Sequence, residues 1–301
     1  MTREHPRIAV AINPTSSFGA HSAQGMRVVE ALAQHGVEVT TLIEASADKL
    51  FNATVRAVTD APDALVAVGG DGLVNLTINA LAETDVPLAI VPTGTGNDLA
   101  RGLGIRRQKS DAAALRIVSA LRAGSIRAVD VGVVTTSLGE RRFGGVVSVG
   151  FDARVNARAN AMRWPRGGAR YVLATLREVV SLRDEKLTMT DGLETLQFDG
   201  TFVSIANNRF IGGGMAIAPE AELDDGLFDV VRVDPVSRLE LLMFFPRVFA
   251  GTHTKLNVVH VRRQREISLT GAGIDLYADG EKLGTLPASI RMLPGELRVL
   301  A

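Results

Sequence analysis

A change of patterning near Val129 divides the chain into two unlike parts. Before it, strand-like apolar runs alternate with helical stretches. RIAVAINP, VEVTTLIE, ALVAVGG and VPLAIVP read as strands bounded by turn residues. Between them, residues 22–35, 46–60 and 74–83 carry apolar positions at helical spacing. Strands that are apolar almost throughout, alternating with helices, specify a parallel sheet covered on both faces. After Val129 the strand-like runs follow one another: GGVVSVGF, KLTMT, TFVSIANN, FDVVRV, LNVVHVRR, EISLT, IDLYADG and SIRML. Two helical stretches interrupt them, at 168–183 and 237–250. Such a succession predicts an antiparallel sandwich or barrel. The expected organisation is a Rossmann-like α/β domain over 1–129 and an antiparallel β-sandwich domain over 130–301, with the last strand able to return to the first domain.

Composition narrows the function. The 301 residues carry 33 basic and 33 acidic side chains. A duplex-DNA reader needs a basic excess to neutralise phosphates, so no nucleic-acid partner is expected. There are no cysteines, which excludes disulfides, thiolate-held metals and cysteine nucleophiles. The apolar runs fall short of the roughly 20 residues of a membrane-spanning helix, and no signal peptide is expected at the start. A cytoplasmic protein is expected. Histidines 5, 21, 35, 253 and 260 form no ligand pair of the HExxH kind.

Three glycine-rich turns follow strands of the first domain, at 13–19, 69–75 and 93–101. Ligands of open parallel sheets bind at that edge, and glycine lets backbone N–H groups approach a phosphate. Asp71 and Asp98 lie inside two of these turns. A carboxylate in a phosphate cradle repels the phosphate unless a divalent cation lies between them. The combination points to Mg²⁺-nucleotide chemistry, although the chain has neither a strict Walker A string nor a strict GxGxxG string. Each turn by itself reads more simply as a tight βα connection.

GGDGLVN at 69–75, followed by PTGTGNDLAR at 92–101, resembles the diacylglycerol kinase catalytic domain family, which includes sphingosine kinases. NPTSS at 13–17, GFDARV at 150–155, NNRFIGGGMAIAPEAELDDGLFDVV at 207–231 and DGE at 279–281 extend the resemblance over nearly the whole chain. It implies a two-domain lipid kinase, with an NAD-kinase-like α/β domain, a β-sandwich lipid-substrate domain and ATP in the cleft. The implied ATP contacts are Asn13, Pro14, Thr15, Ser16 and Ser17 in the first turn. In the second they are Gly69, Gly70, Asp71, Gly72, Leu73, Val74 and Asn75. In the third they are Gly94, Thr95, Gly96, Asn97, Asp98 and Arg101. The resemblance further implies that Asp225 holds Mg²⁺ with backbone carbonyls of Glu222 and Leu227. It implies that Asp71 helps place Mg-ATP, and that Glu281 accepts the hydroxyl proton of the lipid.

The implied reaction moves the γ-phosphate of ATP to the hydroxyl of a long-chain lipid at the inner face of a membrane. The simplest case is diacylglycerol giving phosphatidic acid, as in phospholipid biosynthesis. The sequence is compatible with a homodimer. Two departures from the family pattern stand out. Leu73 and Leu76 occupy positions where Thr and an acidic residue are frequent, and no Lys or Arg lies between Asn13 and Arg27. Arg101 is expected to replace the missing cation. A sphingoid-base or other lipid kinase, or a catalytically degenerate nucleotide- or lipid-binding regulator, are the alternatives. The apolar stretch LELLMFFPRVF at 239–249 reads first as a core helix and second as an acyl channel or membrane-facing surface. Trp164, with arginines around it, reads equally as a headgroup contact or a solvated basic face.

Overall fold

The computed structural model describes residues 5–13, 20–162, 164–165, 168–192 and 194–300. The chain forms two units, residues 1–129 with 295–301 and residues 130–294. Strands β5 (Ile126–Thr136) and β16 (Ala288–Leu300) carry the chain from one unit to the other.

The first unit starts β1 (Arg7–Ile12), α1 (Ala20–Gln34), β2 (Glu38–Ile43), α2 (Ala47–Thr59), β3 (Ala64–Gly69), α3 (Asp71–Ala80) and β4 (Leu88–Pro92). Helices α4 (Asp98–Gly102) and α5 (Ser110–Ala123) follow. The strands pair in parallel in the order β2-β1-β3-β4, and Val299 of β16 pairs in parallel with Leu88 of β4. One face of the sheet, with Ile8, Val10, Val66, Val68 and Val91, packs on Val28 and Leu32 of α1 and on Ile117 and Val118 of α5. Residues of the other parity, such as Ala9, Leu65 and Ile90, are also buried. Burial on both sides explains why these strands are apolar rather than alternating. Helix α3 begins at Asp71, three residues before the helix legible in the sequence, because Gly70 and Asp71 supply its N-terminal turn.

The second unit continues through β6 (Gly139–Phe143), β7 (Val146–Gly150), α6 (Phe151–Ala161), α7 (Gly168–Val180), β8 (Glu185–Thr190), β9 (Thr195–Gly200), β10 (Phe202–Ala206) and β11 (Phe228–Val233). It closes with α8 (Arg238–Phe249), β12 (Val259–Gln264), β13 (Glu266–Thr270), β14 (Asp275–Ala278) and β15 (Glu281–Thr285). Six strands form an antiparallel sheet in the order β12-β11-β10-β7-β14-β15. A second antiparallel set, built on β16, β13, β8 and β9, lies against it across a core that includes Val149, Ile205, Phe228, Ile267 and Ile290. Phe143 and Phe228 stack in that core with centroids 5.7 Å apart. The unit is therefore an antiparallel β-sandwich. The outer face of the six-stranded sheet is covered too, by α6, α7 and α8. That third layer accounts for the uninterrupted apolar runs VVSVG and FVSIA, in which every residue is buried.

Candidate active site

In the first unit the turns after β3 and β4 lock together. Thr93 and Gly94 donate their N–H groups to the carbonyl of Gly69, at 2.8 and 3.3 Å. A Cβ on Gly94 would lie 2.4 Å from the Cα of Gly70, and a Cβ on Gly96 would lie 2.5 Å from Oδ2 of Asp71. Gly94 is thus required for one backbone to pass against another, and Gly96 leaves room for the Asp71 carboxylate, whatever ligand they also serve. Gly94→Ala is expected to destabilise the chain by about 2–3 kcal/mol, read as a lower urea midpoint with an unchanged slope, because the obstacle is backbone and not a movable side chain.

Asp71 joins the same two turns. Its Oδ2 accepts the N–H of Asn97 and its Oδ1 the N–H of Asp98, both at 2.7 Å. Those amides start α4, where helical N–H groups lack partners of their own. Burial pushes the Asp71 carboxyl up from its ordinary range, and the amide hydrogen bonds from Asp98, Asn97 and Leu99 oppose the shift. Asn97 adopts a left-handed conformation with φ +53°, and its side-chain amide donates to the carbonyl of Gly94 at 2.7 Å. The GTGND segment is therefore a rigid loop tied to Asp71 and to β3.

Beside this loop is a pocket of about 630 Å³ lined by Gly94, Thr95, Gly96, Arg101, Arg106 and Arg107, among others. Arg107 donates to the carbonyl of Thr93 at 2.5 Å, and Arg101 lies 3.5 Å from the carbonyl of Gly96. Sequence reading marks Arg101 and misses Arg106 and Arg107. Their signal is the basic run IRRQK, which reads as a polar connection until the fold brings it to the loop. The structure brings Gly69, Gly70 and Asp71 together with Gly94, Gly96, Asn97 and Asp98. Asn13 lies half-buried just past β1, and Gly72 and Thr95 are exposed. Asn75 is half-buried and accepts from the side chain of Asn79 through its carbonyl, at 3.0 Å. Leu73 and Val74 are core side chains of α3, so only their backbone is available to a ligand. Pro14, Thr15, Ser16 and Ser17 lie outside the described residues.

In the second unit the turn around Gly226 (φ +74°) is fastened to β5. Asp130 accepts the N–H of Gly226 at 2.6 Å and donates its own N–H to the carbonyl of Leu223 at 2.7 Å. Asp225 accepts the N–H of Leu227 through Oδ1 at 3.0 Å. Its Oδ2 is buried with no hydrogen-bond partner, 3.8 Å from the Arg263 guanidinium. Arg263 also lies 3.5 Å from Asp229, whose carboxyl burial pushes up. Arg263 offsets the charge of this oxygen without hydrogen-bonding it, so a lone pair stays open to a hard cation and Asp225 fits a metal ligand. No three His, Asp or Glu side chains among the described residues converge on a metal position. A hard cation here would draw its other oxygens from backbone carbonyls. The Glu222 side chain is exposed.

Glu281 opens β15 opposite Ala278. Asp279 and Gly280 form the hairpin turn with φ +49° and +82°, the left-handed pair that a tight two-residue hairpin demands. The Asp279 carboxylate accepts the N–H groups of Gly144 and Val146, at 3.0 and 3.1 Å, and Asn160 donates to the carbonyl of Gly280 at 2.6 Å. The hairpin tip is thus held from two sides while the Glu281 side chain is exposed. Asp279 fixes the hairpin backbone next to Glu281, a link that the string DGE does not reveal. The GFDARV segment opens α6, where half-buried Asp152 accepts from Ser148 at 2.5 Å and loss of solvation pushes its carboxyl up.

Residues 7–134 match the model of the diacylglycerol kinase catalytic domain. Residues 145–301 match that of the YegS C-terminal NAD kinase beta sandwich-like domain. A curated diacylglycerol kinase of Mycobacterium tuberculosis is 37% identical over 296 residues, covering 98% of this chain and 94% of the relative. A diacylglycerol kinase of Bacillus subtilis is 27% identical over 300 residues, covering 98% and 96%. The crystal structure of a diacylglycerol kinase from Bacillus anthracis superposes with a TM-score of 0.73 at 18% identity, over 99% of this chain and 98% of that one.

Proposed function

The chain belongs to the diacylglycerol kinase family of lipid kinases, and from that premise we propose that it transfers the γ-phosphate of Mg-ATP to the hydroxyl of diacylglycerol, giving phosphatidic acid. The observation that carries the reading is the Asp71-tied GTGND loop with three arginines along the adjoining pocket. Phosphoryl transfer is mostly positioning and charge stabilisation, and a fixed loop lined with guanidinium groups supplies both.

In this reading the backbone of Gly69–Gly72 and Gly94–Asp98 holds the phosphates, and Arg101, Arg106 and Arg107 offset their charge. They do the work of the lysine missing from the first turn. Bound Mg²⁺ would neutralise charge on the transferred group. Asp225, with the backbone carbonyls of Glu222 and Leu227, would hold a Mg²⁺ in the second unit. Glu281 accepts the proton of the attacking hydroxyl, and the Asp279 clamp keeps its backbone in place. The intact Asp71, Asp98, Asp225 and Glu281 favour an active enzyme over a degenerate regulator.

Purified protein supplied with Mg-ATP and, separately, diacylglycerol, sphingosine and NAD tests the substrate. Phosphatidic acid as the dominant product supports the proposal. Transfer to sphingosine alone or to NAD alone would replace it.

A further inference from the structure

Of the fifteen large apolar side chains left exposed among the described residues, eight lie on α7, on α8 or at Trp164. Exposed apolar residues scattered singly need no explanation, but a concentration on adjoining elements does. Helices α7 and α8 pack against each other. On α7, Val172, Leu176 and Val180 are exposed at four-residue spacing, a single stripe along the helix. On α8, Leu241, Phe244 and Val248 are buried, while Leu239, Leu242, Met243 and Phe249 are exposed on the opposite face. The helix is apolar on both sides, and the fold covers only one. Trp164 is 79% exposed. The cavity beneath these helices measures about 40 Å³, too small to receive an acyl chain.

The exposed charge around these stripes is mostly basic. Residues 163–183 contain five arginines and one acidic residue, Glu178, and Glu178 is buried and paired with Arg154 and Arg158. Arg177, Arg238 and Arg247 are exposed on the two helices. Glu240 is committed to the capping box of α8 with Ser237. No helix among the described residues is long and apolar enough to cross a membrane. An apolar stripe flanked by arginines instead suits a helix lying in the interface of an anionic bilayer, where tryptophan is also favoured.

We propose that the α7–α8 face and Trp164 form the surface by which this protein docks on a bilayer containing anionic phospholipid. The apolar side chains enter the acyl boundary, and Arg177, Arg238 and Arg247 meet headgroup phosphates. The inference deepens the lipid-kinase reading, since the substrate is delivered at that surface, but binding is measurable without turnover.

Trp164 is the only tryptophan in the chain, so its fluorescence reports the contact directly. Titration with phosphatidylcholine vesicles, with and without one quarter phosphatidylglycerol, is expected to shift its emission to the blue, at lower lipid concentration when the anionic lipid is present. A double variant, Leu239→Glu with Met243→Glu, is expected to weaken vesicle binding by about 10-fold or more. It should keep the wild-type melting temperature and turnover of a water-soluble short-chain diacylglycerol. Wild-type emission unmoved by either vesicle would overturn the proposal, as would full vesicle binding by the double variant. If the wild type is a dimer that the substitutions dissociate, with no emission shift on vesicles, the face is a self-interface and the proposal falls. Vesicle binding without phosphorylation of any lipid would instead remove the kinase reading and leave the docking surface standing.

Discussion

Replacing Asp71 with alanine is expected to cost about 3 kcal/mol of stability and to lower lipid-kinase turnover roughly 100-fold or more. The cause is local. The Asp71 carboxylate takes the N–H groups of Asn97 and Asp98 at 2.7 Å each, and the alanine variant leaves two amides at the start of α4 without acceptors. The GTGND loop then loses its fixed position relative to β3, and with it the placement of the phosphates. Asp71 acts through the loop it holds, so the KM for ATP should rise together with the fall in kcat. Asp71→Asn keeps one acceptor oxygen but turns an amide donor toward a backbone N–H, so it should fall between the wild type and Asp71→Ala. Thermal melts alongside ATP titrations check both effects. A variant with unaltered stability would contradict the role as loop anchor.

Glu281→Gln separates activity from stability. The side chain is exposed on a hairpin whose tip is held by Asp279 and Asn160. Stability should therefore move by less than about 0.5 kcal/mol. Loss of the proton acceptor should lower kcat by about 100- to 10,000-fold, with the KM for ATP unchanged. The two carboxylates thus predict opposite patterns. Asp71→Ala is expected to lower stability and turnover together, and Glu281→Gln turnover alone.

Legibility in the sequence followed burial. Strands β1, β3 and β4 and helices α2, α7 and α8 announce themselves, because apolar residues fill their inward positions. Strands β6, β9 and β15 do not, being short, largely polar edge or hairpin strands with few buried side chains. Helix α6 is hidden for a different reason. Its buried face includes Asn156, with Asp152 half-buried beside it, so its inward positions are partly polar and the 3.6-residue apolar period fails. In α5 the alanines provide weak contrast, although Ala113, Ala114 and Ile117 are core residues.

At the candidate site, the glycines were legible because the loops cross backbone to backbone at Gly70 and Gly94, and the Asp71 carboxylate crowds Gly96. The carboxylates were legible by motif, but their partners were not. Nothing in the order of residues joins Asp71 to the amides of Asn97 and Asp98, or Asp279 to those of Gly144 and Val146. Those bonds exist only after the strands align. Arg106 and Arg107 likewise become site residues through the path of the chain after α4.

The central claim is most directly tested by one transfer assay. Wild-type protein and Glu281→Gln are each incubated with γ-labelled ATP, Mg²⁺ and mixed micelles of diacylglycerol, with melting curves recorded in parallel. The account predicts labelled phosphatidic acid from the wild type and, from an equally stable Glu281→Gln, about one hundredth of that or less. Absence of label in lipid with the wild type, or full transfer by Glu281→Gln, would contradict it.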